Sequence, residues 1–117
     1  QPPAARCYNL GKAVRQAVES WDNDARVAII GSGGLSHFVI DEDLDHKILD
    51  ALNTNDEATL GAIPESYLQS GSSEIKNWIA MNGALEGTGL TMELVDYIPC
   101  YRSAAGTGTA QGFAYWT

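Results

Sequence analysis

The chain has two histidines, and His37 lies in the more suggestive setting. It ends the run Gly31-Ser32-Gly33-Gly34-Leu35-Ser36-His37. Glycines at three of the first four positions let backbone approach another group closely. An imidazole in such a loop changes charge near neutral pH and can move protons. On chemistry alone two readings stand: a general acid/base, or an imidazole that hydrogen-bonds loop backbone. Two other motifs overlap the loop, and both are incomplete. Ser36 stands where a dinucleotide fingerprint needs its third Gly or Ala, and no helix opens inside the motif. Phe38 stands where a nucleophile elbow around Ser36 needs its final Gly.

Glu74 is the second residue of interest. It opens a predicted helix four residues before Trp78, so the two project to one side. A first-turn Glu complements the helix dipole and needs no further reason. The functional alternative is a carboxylate metal ligand. His46, within Asp43-Leu44-Asp45-His46-Lys47, reads as a solvated surface residue. The acidic run from Asp41 to Asp45 lacks the glycine of a calcium loop, and a helix pattern runs through it, so it reads as a solvated helix start. Tyr97, Tyr101, Phe113, Tyr115 and Trp116 read as core or interface residues. Cys7 and Cys100 fall in no metal-ligand or CxxC spacing and read as free, partly buried thiols in a reducing compartment.

These residues need elements to hold them. Residues 4–21 predict an amphipathic helix whose apolar stripe is Leu10, Val14, Ala17, Val18 and Trp21. Val27-Ala28-Ile29-Ile30 is a short apolar run suited to a strand buried on both faces, with the glycine loop leaving its carboxyl end. Ligands collect at such strand ends in open α/β sheets. A second helix spans Asp41 to Leu52, capped by Asp41 and striped by Leu44, Ile48, Ala51 and Leu52. A short helix is expected at 64–70. A third clear helix, 74–82, has Ser72-Ser73 as its cap, Ile75, Trp78 and Ile79 as its buried face, and Gly83 as its terminator. Thr91 to Ile98 predicts a strand stopped by Pro99. Residues 103–112 read as a small-residue loop, and Phe113 to Trp116 as a last strand. The expected fold class is α/β, a three-layer α/β/α arrangement around a mixed sheet.

Composition bounds the function. The chain has 117 residues, a single domain's worth, and 7 Lys+Arg against 15 Asp+Glu, a formal charge of −8. Scattered basic residues on so acidic a chain argue against nucleic-acid binding. No apolar run approaches the roughly 18–20 residues that span a bilayer. Hydrophobic content of 44% argues against disorder. With no leader at the start and no expected disulfide, the cytoplasm is the expected compartment.

Three segments, VAIIGSGGLSHF, IDEDLDHKILDAL and SGSSEIKNWIAMNGAL, together resemble the carboxyl-terminal part of class III (LigB-type) extradiol ring-cleavage dioxygenases, the protocatechuate 4,5-dioxygenase and gallate dioxygenase group. ELVDYIPCYRSAAGTGTAQGFAYW is similar to that family's last strands. The resemblance implies that residues 1–117 are the C-terminal portion of one larger catalytic domain. It implies opening of a catechol-type aromatic acid with Fe(II) and O2, the iron held by two histidines and a carboxylate. The carboxylate position falls on Glu74. The second-sphere acid/base position falls on His37, and the adjoining Gly33, Gly34 and Ser36 become a substrate-proximal loop. The family's two iron-binding histidines have no counterpart here, so the 117-residue chain alone is expected to be inactive. The resemblance also implies a homo-oligomer or pairing with a small second subunit or domain. The alternatives are a non-catalytic relative or accessory domain that binds an aromatic ligand or partner without iron and, ranked last, a nucleotide-binding domain.

Overall fold

A computed structural model describes all 117 residues. In chain order the elements are α1 (Ala4–Ser20), β1 (His37–Val39), α2 (Glu42–Thr54), α3 (Glu57–Gly61), two single 3-10 turns (Glu65–Tyr67 and Ser70–Glu74), α4 (Ile75–Leu85), β2 (Met92–Tyr101) and β3 (Thr107–Trp116). The fold mixes helix and strand, as expected. Its sheet departs from the expected mixed one: it has three strands in the order β1-β3-β2, all antiparallel, because β2 and β3 form a hairpin and Val27–Ile30 adds no strand.

The helices meet around a core of α2, α4 and the turns between them, with Ile48, Leu52, Leu60, Leu68, Ile75 and Ile79 almost fully buried. Asp41 caps α2 as its sequence predicts: its carboxylate accepts from Leu44 N at 3.0 Å, satisfying an orphan donor of the first turn. The helix ends at Asn55 in the left-handed conformation, φ 54°. α1 crosses α4 at two glycines. A Cβ on Gly11 would collide with the Ala80 carbonyl, and one on Gly83 with the Tyr8 carbonyl. Gly83 is therefore a packing residue inside α4, and the helix continues to Leu85 instead of stopping there.

Four other expectations change. The Ser72-Ser73 cap is absent, because the 3-10 turn Ser70–Glu74 runs directly into α4. The bulky stripe of α1 faces outward: Leu10, Val14, Val18 and Trp21 are exposed, and the buried residues are Ala4, Cys7, Tyr8 and Gly11. The glycine contact with α4 selects that narrower face. Pro99 does not stop β2. Its partner Ala110 directs both backbone groups toward Leu35 and Ser36, so Pro99 lies at a non-hydrogen-bonded position and its missing donor faces the open edge. Most of the expected small-residue loop, from Thr107 on, belongs to β3.

Val27–Ile30 departs most from expectation. It forms no strand. Residues 26–31 run without turn or bend and make no backbone hydrogen bonds. Ile30 is 82% exposed. A β-branched run of this kind needs neighbours on both edges, and the chain offers it none. Apolar clefts flank it, one against Leu10 and Val14 of α1 and one against Leu85, Leu90 and Trp116.

Candidate active site

The glycine loop is pinned to the start of α4 residue by residue. Asn77 Nδ2 donates to Ser32 O at 2.6 Å, Trp78 Nε1 to Gly33 O at 2.9 Å, and Gly34 N donates to Glu74 Oε2 at 2.6 Å. The following residues continue β1: Leu35 N donates to Ala110 O, and Ala110 N to Ser36 O, both at 2.9 Å. The loop is thus rigidly tied on two sides, to a helix and to a sheet.

This tie brings the two sequence-predicted residues together. His37 Nε2 lies 3.4 Å from Glu74 Oε2. The glycines make room for both. A Cβ on Gly33, whose φ is +143°, would lie 2.8 Å from Glu74 Cβ, and one on Gly34 would lie 2.7 Å from His37 Cε1. His37 is fixed from behind. Its Nδ1 is 2.7 Å from Leu35 O, its backbone N donates to Ser72 Oγ at 2.9 Å, and its side chain is only 16% exposed. Leu35 O and Glu74 Oε2 both only accept, and the shorter contact, 2.7 Å against 3.4 Å, assigns the proton of the neutral ring to Nδ1 and leaves Nε2 to face Glu74 and the cleft. The two readings of His37 therefore hold together: it bonds loop backbone through one nitrogen and presents the other.

The pair lines an open cleft of ≈ 570 Å³, with Gly31–Gly34 and Trp78 on one side and Val95, Gln111 and Phe113 on the other. Glu74 reaches it with a side chain 44% exposed. Its Oε2 holds Gly34 N, while Oε1 carries no hydrogen bond. A hard carboxylate oxygen of this kind suits a divalent metal ion. It fills one ligand position only. No three His, Cys, Asp or Glu side chains come together anywhere in the chain. His46 is exposed, bonds Glu42 O through Nδ1 and packs edge-on against Tyr97 at 4.8 Å, outside this cleft. Both cysteines are free, Cys7 buried and Cys100 exposed; burial raises the Cys7 thiol above its ordinary value.

Several site residues are not visible in the motifs. Ser72, Asn77 and Trp78 act through hydrogen bonds to a distant loop, which no local pattern reports. Asp45 was legible and misread. The sequence suggests a solvated acid, yet Asp45 is fully buried, accepting from Ser36 N, Ser36 Oγ and Tyr97 OH at 2.7–2.8 Å. It stands three residues before Ile48 and seven before Leu52, on the apolar stripe of α2. That spacing was the available signal.

Such a site, a carboxylate and an imidazole at the mouth of a glycine loop, is found on a chain whose residues 1–110 match the family described as the catalytic LigB subunit of aromatic ring-opening dioxygenase. The chain belongs to that family. It is 35% identical over 94 aligned residues to gallate dioxygenase of Pseudomonas putida (strain KT2440), an alignment that covers 72% of this chain. The match covers 28% of that protein's length. No helix is long and apolar enough to cross a membrane.

Proposed function

We propose that this chain is the C-terminal portion of an extradiol dioxygenase domain and supplies two groups to its active site: Glu74 as the carboxylate ligand of Fe(II), and His37 as the acid/base. The observation that carries the reading is the 3.4 Å approach of His37 Nε2 to Glu74 Oε2 at the open cleft. Iron, when bound, supplies the redox chemistry that joins O2 to the ring. Glu74 offers it Oε1, with Oε2 steadied by Gly34 N. A catechol in the cleft must lose hydroxyl protons to chelate a metal, and a later step needs a proton returned. Nε2 of His37 serves both transfers, while Nδ1–H stays on Leu35 O and keeps the ring from turning. Gly33 and Gly34 border the cleft beside the pair, whereas Ser36, expected next to substrate, is buried against Asp45 and anchors the loop from behind. A carboxylated catechol such as gallate or protocatechuate is the proposed substrate, supported by the likeness to gallate dioxygenase.

The two iron-binding histidines come, on this reading, from the rest of the domain. The unbonded backbone of residues 26–31, whose Ile30 and Gly31 border the cleft, supports it, and so do the exposed Leu10 and Val14 of α1, which line a second apolar cleft against Ile29 and Ile30. Entering between foreign strands, Val27–Ile30 would extend the sheet into a mixed one covered by helices on both faces. The 117 residues alone are then inactive. We assign the protein to the cytoplasm on its two free cysteines, and to a homo-oligomer or a pairing with a small second subunit on its family.

The test uses the polypeptide that carries these residues together with the rest of the catalytic domain. Loaded with Fe(II), it should consume O2 with gallate or protocatechuate and give a ring-opened acid. Glu74→Gln should lower its iron content. Full iron content in that variant, or inertness of the loaded protein toward catechols, would sink the reading. One observation favours a second reading, an iron-free accessory domain that binds an aromatic ligand: the chain brings no three ligands together. Absence of iron from the complete protein, with retained binding of a catechol, is the result it requires.

A further inference from the structure

The buried Asp45 carboxylate does more than cap a loop. Its Oδ1 accepts from Ser36 N at 2.8 Å. That N–H belongs to the peptide unit joining Leu35 to Ser36, and the carbonyl of the same unit accepts from His37 Nδ1 at 2.7 Å. One rigid peptide plane is thus held at both ends, by a buried carboxylate at its N–H and by the imidazole at its C=O. We infer that Asp45 is the positioning residue for His37, a carboxylate–histidine pair connected through a backbone peptide instead of by direct contact. The inference rests on the acid/base reading of His37.

Three features give the carboxylate this role. It is fully buried, so its charge is not screened by water. Its donors divide between its two oxygens. Ser36 Oγ and Tyr97 OH both donate to Oδ2 at 2.7 Å, which leaves Oδ1 to the peptide N–H. Ser36 Oγ in turn accepts from Asp41 N at 2.9 Å, tying the loop to the start of α2. Tyr97 remains the donor throughout, since burial, and then its bond to Asp45, push its phenol far above the ordinary value. A charge-assisted bond at the N–H polarises the amide and strengthens its carbonyl as an acceptor. The stronger carbonyl holds the proton on Nδ1 and leaves Nε2 bare toward Glu74. A ligand histidine in a metalloenzyme is oriented through its second nitrogen in the same physical way.

The experiment reads the tautomer, not turnover, so its failure is distinct from failure of the dioxygenase reading. The polypeptide that carries these residues together with the rest of the catalytic domain is labelled with nitrogen-15 at histidine and kept free of iron, and the ring nitrogens of neutral His37 are assigned by multiple-bond proton–nitrogen correlation. In the unaltered chain the proton should reside on Nδ1; a proton on Nε2 would overturn the inference without any variant. Asp45→Asn keeps shape and an acceptor but removes the charge. It should raise the Nε2–H population about three- to tenfold, the size of one net hydrogen-bond contribution. Ser36→Ala removes the Oγ contact yet keeps the N–H bond, and should leave the tautomer as it was. A tautomer ratio unchanged in Asp45→Asn, or shifted equally by Ser36→Ala, would reduce Asp45 to a purely structural role.

Discussion

Gly34→Ala is the sharpest test of the packing that joins the loop to its histidine. Gly34 has no positive φ, so alanine meets no backbone penalty there, and any effect comes from the added methyl. That methyl would sit 2.7 Å from His37 Cε1 and 3.1 Å from the Ala110 carbonyl. Carbon atoms pack at about 3.5–4.0 Å. The backbone of β3 cannot yield, so the imidazole must move by most of an ångström. Its Nδ1–Leu35 O bond of 2.7 Å would then exceed the ~3.2 Å limit of a good hydrogen bond. Overpacking of this kind costs about 1–3 kcal/mol, and the lost bond falls within that range. Urea unfolding of the 117-residue chain measures it. Gly89→Ala is the control, with nothing within 4 Å of the new methyl but φ +77°, so it reports backbone strain alone, about 1–2 kcal/mol. In the iron-loaded catalytic domain, Gly34→Ala should also cut turnover by roughly 100-fold, the usual effect of a 1 Å misplacement. Unchanged stability, together with an intact Nδ1–Leu35 bond by NMR, would refute the argument that glycine is needed there to seat His37.

Gly83→Ala should destabilise the chain by about 1–3 kcal/mol in the same urea assay, because the Tyr8 backbone occupies the space of its Cβ. Lys76, with a side chain only 7% exposed, donates to Glu65 Oε2 at 2.6 Å, and that bond holds the Glu65 carboxyl below its ordinary value. The pair's stabilisation is therefore full above the ordinary glutamate pKa and is lost as pH falls through the lowered one; Glu65→Gln should flatten the acid limb of a thermal-melt pH series. Burial first, and then nearby Glu86 and Glu57, push the Tyr8 phenol up to about 12. A raised phenol stabilises fully below the ordinary value near 10 and loses that effect as pH rises to about 12, so Tyr8→Phe should remove part of the alkaline decline in melting temperature.

What could be read from the sequence was local. The Asp41 cap, the stripe Ile48-Ala51-Leu52 and the buried Ile75-Trp78-Ile79 face follow from residues within a few turns of each other, and the structure keeps them. His37 and Glu74 were legible as candidates because a glycine loop and a first-turn carboxylate are short motifs. Their approach was not, since it depends on Asn77 and Trp78 meeting a loop some 45 residues away. The failures share a cause as well. Val27–Ile30 has the composition of a buried strand, but a strand exists only through its neighbours. Leu10, Val14 and Val18 have the period of a buried face, but Gly11 offers a closer contact and α4 takes that side. Asp45 was read by its charge alone, although its position on the α2 stripe placed it in the core.

The central claim, that His37 moves protons beside an iron held by Glu74, meets its most direct test in one variant. His37→Gln in the Fe(II)-loaded catalytic domain should keep the iron content of the unaltered protein while ring opening falls by roughly 10²–10⁴-fold, the range of general acid–base catalysis. Turnover that survives the substitution, or iron that is lost with it, would contradict the account.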